Sequence, residues 1–198
     1  MSMRGVGAAW ERAGMGDDVV IGLLRAVNVG GRTLTSAVLR ATASDLGYRD
    51  VVTYAASGNV VLRAVHGAPQ VAADLGAALT TAAGFEVRVV TRTSRQWDRA
   101  VAALPFADAA RDDPARLALV AWDGPVDTTR VDAFDPARYG HEQLAWHGSE
   151  LYAYYPDGMG RSRLTLPVLE RAAGRTGTSR NWRTVLALAA LAHERAGA

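Results

Sequence analysis

From Val19 to Val90 the spacing of apolar residues alternates between a strand-like and a helix-like period, in the order strand, helix, strand, strand, helix, strand. No other feature restricts the fold of this chain as tightly. Val19 to Val27, an apolar run with Arg25 near its end, predicts the first strand. Thr35 to Leu46 predicts a helix, with the Thr35 hydroxyl able to cap its start and Gly47 able to end it in a left-handed turn. Val51 to Ala55 and Asn59 to Arg63 are β-rich runs flanking Ser57-Gly58, a hairpin signal. Pro69 opens a helix that sets Val71, Leu75, Ala78, Leu79 and Ala82 on one face. Gly84 closes it, and Phe85 to Val90 reads as the fourth strand. Elements in this order define the ferredoxin-like unit.

The order repeats less clearly further on. A helix around Arg95 to Ala103 leads to a strand at Leu117 to Trp122, a short helix near Thr128 to Ala133, and strands at Gln143 to Trp146 and Leu151 to Tyr155. Leu166 to Ala173 predicts a helix, with Pro167 tolerable only in its first turn. Trp182 to Glu194 predicts the last helix, apolar on every side from Val185 to Ala192 and so expected to be docked. The expected architecture is α+β: two tandem ferredoxin-like halves in extensive contact, residues 18–92 and 93–198, behind a mobile leader over residues 1–17.

Composition removes several functional classes. None of the 198 residues is cysteine, which excludes disulfides, thiolate catalysis and zinc sites that need sulfur. No apolar run spans a bilayer, and Met1 to Asp18 has no sustained apolar segment of the secretory kind, so the cytoplasm is the expected compartment. The cations are all Arg, and net charge is only +2. Their distribution is uneven: Arg161 to Arg195 holds seven Arg against Glu170 and Glu194, a local charge of +5, whereas the preceding residues total −3. A basic segment of this kind attracts anions or an acidic surface, or is simply a solvated helical face.

In the ferredoxin-like unit the first and third strands are antiparallel neighbours, so the end of one lies beside the start of the other. Arg25, Asn28, Gly30 and Gly31 are thereby expected at one sheet edge with Ser57, Gly58 and Asn59. The Asn28 to Gly31 turn could aim N–H groups at an anion, Arg25 could add a bidentate donor, and Ser57 and Asn59 could add neutral hydrogen bonds. The alternative is a plain turn, a plain hairpin and an Arg25 paired with a carboxylate. Burial of an unpaired guanidinium is costly, so something negative or strongly accepting is expected near Arg25. A second cluster is Asp157 to Arg163 with Thr178 to Trp182, in which Arg161, Ser162, Arg180 and Asn181 precede predicted helices and could receive an anion. Its alternative is helix capping by Ser162, Thr165 or Ser179, with Trp182 as a core anchor.

Other templates fail. The four His show no metal-ligand spacing, Ser57 has no nucleophile-elbow context, and a chain without Lys has no Walker A loop. No metal or cofactor is expected. Nucleic acid is disfavoured as a partner, because strands one and three lack the aromatics on which bases stack. Tyr152 and Tyr154, with Trp146, are the only aromatic platform, and packing between the halves is its expected use.

Four motifs in register, Leu23-Leu24-Arg25-Ala26-Val27-Asn28-Val29-Gly30-Gly31, Thr53-Tyr54-Ala55-Ala56-Ser57-Gly58-Asn59 and the two C-terminal stretches above, resemble the bacterial family called domain of unknown function 1697. The resemblance runs from about Asp18 to Ala192 and implies paired ferredoxin-like halves. It implies no catalytic residue, since the family has no established activity. The chain departs from the family at Ala26, where Gly is usual, and at Leu104-Pro105-Phe106, where Asn commonly precedes Pro-Phe. The leading functional expectation is a site for a small phosphate- or carboxylate-bearing ligand. A non-enzymatic interaction or homodimerisation module stays open as the alternative.

Overall fold

Strand β1 (Asp18–Arg25) occupies the middle of its sheet because it is apolar on both faces, with Val19, Ile21 and Leu23 on one and Val20 and Leu24 on the other. The computed structural model describes residues 18–56 and 58–197, so the leader expected over residues 1–17 lies outside the described residues. β1 pairs antiparallel with β3 (Asn59–Ala64) and β4 (Arg88–Thr93), and β2 (Arg49–Tyr54) joins β3, for a sheet order of β2-β3-β1-β4. Helices α1 (Ser36–Asp45) and α2 (Ala68–Ala83) cover one face, closing a core of Val20, Leu24, Leu39, Val60, Leu62 and Leu75. Local chemistry sets their ends: Thr35 Oγ1 accepts from Val38 N at 3.2 Å, and Gly47 and Gly84 adopt φ values of 83° and 73°.

After α3 (Ser94–Ala102) and α4 (Ala107–Asp112) the plan recurs. β5 (Leu117–Trp122), α5 (Thr128–Asp132), β6 (Gln143–His147), β7 (Glu150–Tyr154), α6 (Leu166–Ala173) and β8 (Gly177–Asn181) build a second sheet in the order β6-β7-β5-β8. This is the same ferredoxin-like arrangement, strand for strand. α7 (Trp182–Ala196) then packs against β1, β3, β5 and β8. The faces of the two sheets turned away from α1, α2, α5 and α6 share one core with α3 and α7, built from Ile21, Leu23, Trp97, Leu119, Tyr152 and Leu188 among others.

Three sequence expectations need correction. The fourth strand is Arg88–Thr93, not Phe85 to Val90: after Gly84 the chain is still turning, held by Val87 N donating to Thr80 Oγ1 at 2.9 Å. Gly177–Asn181 is a strand where none was expected, concealed because it has no large apolar residue and is recruited by pairing along β5. Trp146 does not share a platform with Tyr152: it stacks on Trp122 at 5.8 Å on the opposite face of the sheet, while Tyr152 packs between the halves. The last helix is docked as expected, although Leu186 remains exposed.

The phenol of Tyr152 is fully buried and donates to the Ala100 carbonyl at 2.6 Å. Burial, and then the Glu150 carboxylate, push its pKa from 10.0 up to about 12. The folded value is the higher one, so the stability tied to the neutral phenol is complete below pH 10.0 and is lost as pH rises toward about 12. Tyr152→Phe should cost about 1 kcal/mol at neutral pH through the lost hydrogen bond. It should also flatten the decline in stability through that alkaline window. Denaturant titrations at neutral pH and between the two pKa values check both effects, and a variant that declines as steeply as the parent would contradict the assignment.

Candidate functional site

The two loops expected to meet at the end of β1 do meet. Leu24 N donates to Gly58 O at 2.8 Å, and Leu23 lies opposite Asn59 in the ladder. Asn28 straps the 26–34 loop across this junction. Its Nδ2 donates to Ala56 O at 2.6 Å and to Leu34 O at 3.0 Å, while Oδ1 accepts from Leu34 N at 2.8 Å. Asn28 sits at φ 57°, a left-handed conformation that Asn tolerates, and Gly30 and Gly31 follow at 60° and 81°. Gly58 is required twice over: its φ is 74°, and a Cβ there would come within 2.6 Å of Val27 Cγ2. Ser57 lies outside the described residues.

Leu34 N is held by Asn28, Arg32 N donates to Val29 O at 3.1 Å, and the Arg32 guanidinium sits 5.4 Å over the Phe85 ring. Arg25 has the negative neighbour that its position demanded. Glu170 on α6 receives Nε at 2.9 Å and Nη2 at 2.7 Å, a bidentate pair joining the two halves.

The second cluster divides. Arg180, only 6% exposed, leaves β8 and enters the first half. Its Nε donates to Asn59 Oδ1, Nη2 to Leu24 O at 2.8 Å and Gly58 O at 3.1 Å, and Nη1 to Ser179 O at 2.8 Å and Thr178 Oγ1 at 2.7 Å. Desolvation draws its pKa down to about 10, so it stays charged at neutral pH. Asn181 caps α7 by accepting from Thr184 N at 2.9 Å. Arg161 and Ser162 lie elsewhere: Ser162 Oγ donates to Glu142, and the Arg161 side chain is exposed. Of the capping roles expected for the hydroxyls, Thr165 holds the N-cap position of α6 without a side-chain bond, and Ser162 caps neither helix. The basic C-terminal segment is therefore spread over the molecule and is not one surface.

Sequence reasoning missed Arg92, which repeats the behaviour of Arg180 atom for atom in the opposite direction. From β4 it enters the second half, with Nε donating to Glu150 Oε1 at 2.8 Å, Nη2 to Trp122 O at 2.9 Å and Ser149 O at 3.0 Å, and Nη1 to Thr91 O at 2.8 Å. Leu24 and Trp122 lie at the ends of the central strands, Gly58 and Ser149 in the hairpin turns, and Asn59 and Glu150 at the start of the third strands. A signal was present. Each Arg immediately precedes a helix cap, Thr93 for α3 and Asn181 for α7.

Beside Arg180 lies a cleft of about 440 Å³ bounded by the β1 end, the 26–29 turn, Ala56, Leu166 of α6 and the Thr178 to Arg180 stretch of β8. Both ionisable side chains that line it are arginines, Arg25 and Arg180. It brings Arg25 and Asn28 together with Arg180, and leaves Arg161, Ser162, Gly30 and Gly31 outside its wall. Among the described residues the lining supplies hydrogen-bond donors and hydroxyls, with no carboxylate or imidazole. No group of residues able to hold a metal ion occurs among the described residues.

These features define a tandem ferredoxin-like α+β protein whose halves exchange buried arginines across their contact. The family described as "Protein of unknown function (DUF1697)" matches residues 18–152, and the chain belongs to that family. A solved structure similar to it is that of the conserved bacterial protein SP0830 from Streptococcus pneumoniae, which is 18% identical, with the match covering 90% of this chain and 99% of that one at a TM-score of 0.71. At that identity the likeness is one of fold. No curated protein matches the chain.

Two stability measurements test the geometry. Ala26 is held at φ 54°, where a side chain costs about 1–2 kcal/mol. Ala26→Gly should raise stability by about 0.5–1 kcal/mol once the entropy of glycine is offset. Arg92→Met strands the Glu150 carboxylate and should cost about 3–5 kcal/mol. The matching Arg180→Met strands the amide oxygen of Asn59 in the same place, and should cost less. Denaturant midpoints rank the two, and the reverse order would refute the correspondence.

Proposed function

We propose that the protein binds a small anionic ligand in the cleft at the end of β1. The observation that carries this reading is that the side chains able to ionise along the wall are Arg25 and Arg180, the first fixed at the mouth by Glu170 and the second buried beneath. Glu170 engages Nε and Nη2 of Arg25, so it orients the fork and leaves Nη1 available to an incoming oxygen. Ser179 adds a hydroxyl from the neighbouring strand, whereas that of Thr178 is engaged within the fold by Arg180 Nη1 and Leu24 O. The preferred compartment is the cytoplasm, in keeping with a chain that has no cysteine and, among the described residues, no helix long and apolar enough to cross a membrane. Nucleic acid is not the proposed partner, because the C-terminal arginines scatter and the buried ones face the interior.

A second reading has its own support. Asn28, Asn59 and Arg25 all make hydrogen bonds inside the fold, as purely structural motifs in an interaction module would. Thermal melting against a panel of nucleotides, phosphate esters and carboxylates separates the two. A ligand at a hundred times its dissociation constant should add about 2.7 kcal/mol of stability. The double variant Arg25→Gln with Glu170→Gln keeps two hydrogen-bonding side chains facing each other while removing the cation. It should melt near the parent and lose the ligand response. A response that survives in the double variant would place the site elsewhere, and a panel without any response would favour the interaction module.

A further inference from the structure

The wall of the cleft describes its ligand more narrowly, if the anion reading above holds. Beyond the polar strip of Arg25, Asn28, Thr178, Ser179 and Arg180, the lining is apolar throughout: Leu24, Ala26, Val27, Val29, Ala56 and Leu166. Val29 is 57% exposed, yet it stands on a loop fixed by the three Asn28 hydrogen bonds. Val29 thereby extends the apolar side of the wall out to the lip of the cleft. The polar strip is small in turn. A phosphate, with more oxygens to satisfy, is the poorer match, because Asn28 Nδ2 is spent on Ala56 O and Leu34 O, the Arg180 guanidinium on five acceptors and the Thr178 hydroxyl on Leu24 O. A carboxylate needs fewer donors. A volume of about 440 Å³ falls in the lower part of the range for small-molecule sites.

We infer that the ligand is a small amphipathic carboxylic acid, its carboxylate received by Arg25 and the Ser179 hydroxyl and its apolar body lying against Val27, Val29 and Leu166. The polar and apolar halves of the wall then each meet their own kind. Recognition should rise with the apolar length of the acid until the cleft is filled, and should require the charge.

Calorimetric titration of the full chain with acetate, butyrate and hexanoate, alongside inorganic phosphate and hexanol, tests this. Each methylene that becomes buried should tighten binding about fourfold, hexanol should bind far more weakly than hexanoate, and phosphate should not compete with hexanoate. Val29→Ser, at an exposed position, should weaken hexanoate severalfold and leave acetate unchanged. Affinity that ignores chain length, or phosphate that matches hexanoate, would overturn the amphipathic acid while leaving the anion site standing. Hexanol that binds as well as hexanoate, or a complete lack of binding by every acid and by phosphate, would remove both. Val29→Ser with undiminished hexanoate affinity would move the apolar body off this wall.

Discussion

A guanidinium taken out of water must be surrounded by oxygen, and no single strand edge carries enough of it. Arg92 and Arg180 meet this demand by crossing between halves. Each inserts into the place where a central strand ends and a hairpin turns, and there two backbone carbonyls and the first side chain of the third strand converge. Gly58 O and Ser149 O also accept from Leu24 N and Trp122 N in the ladder, so each of these two carbonyls takes two donors. The crossing therefore satisfies donor and acceptors together, and it fixes how the two sheets lie against each other. Arg25 with Glu170, and Arg63 with the Arg195 carbonyl, add ties at the margins of the same contact.

The two crossings are alike in backbone and differ in chemistry. Glu150 neutralises Arg92, whereas Asn59 holds Arg180 through an amide. Ion pairs buried to this degree contribute specificity of arrangement more than net stability, because desolvation offsets most of the attraction. The arginine whose partner is a neutral amide, Arg180, is the one beside the amphipathic cleft. There the strained 26–31 turn, with Ala26 and Asn28 both left-handed, is kept in place by the hydrogen bonds of Asn28. Strain held by surrounding contacts is a recurrent property of binding loops.

The first half could be read from the sequence because its signals agree with one another. The run Val19 to Val27, the Thr35 cap, the Gly47 and Gly84 stops and the Pro69 start all point to one order, and the adjacency of the Asn28 and Gly58 loops follows from it without any knowledge of contacts. The second half was harder to read for a physical reason. Gly177–Asn181 becomes a strand through pairing with β5, and its polar residues gain their burial from the other half, so no local pattern announces it. Arg92 was overlooked for a related cause: three residues of continued turning after Gly84 shift the strand and carry its last residues past the expected end. The partner of Arg25 was legible as a requirement but not as a residue, since Glu170 lies 145 positions away.

The exchange of arginines also orders events in time. Chains emerge from the ribosome N-terminus first, and domains generally fold as units as they appear. Here the first half cannot finish on its own. The Arg180 donors to Leu24 O and Gly58 O, and the helix α7 that covers the apolar face formed by Ile21, Leu23 and Val61, are made only after the first half and most of the second. Until then a four-stranded sheet stands with one greasy side uncovered. That surface can be hidden only once α7 has been made, so the second half must be synthesised while it stands open.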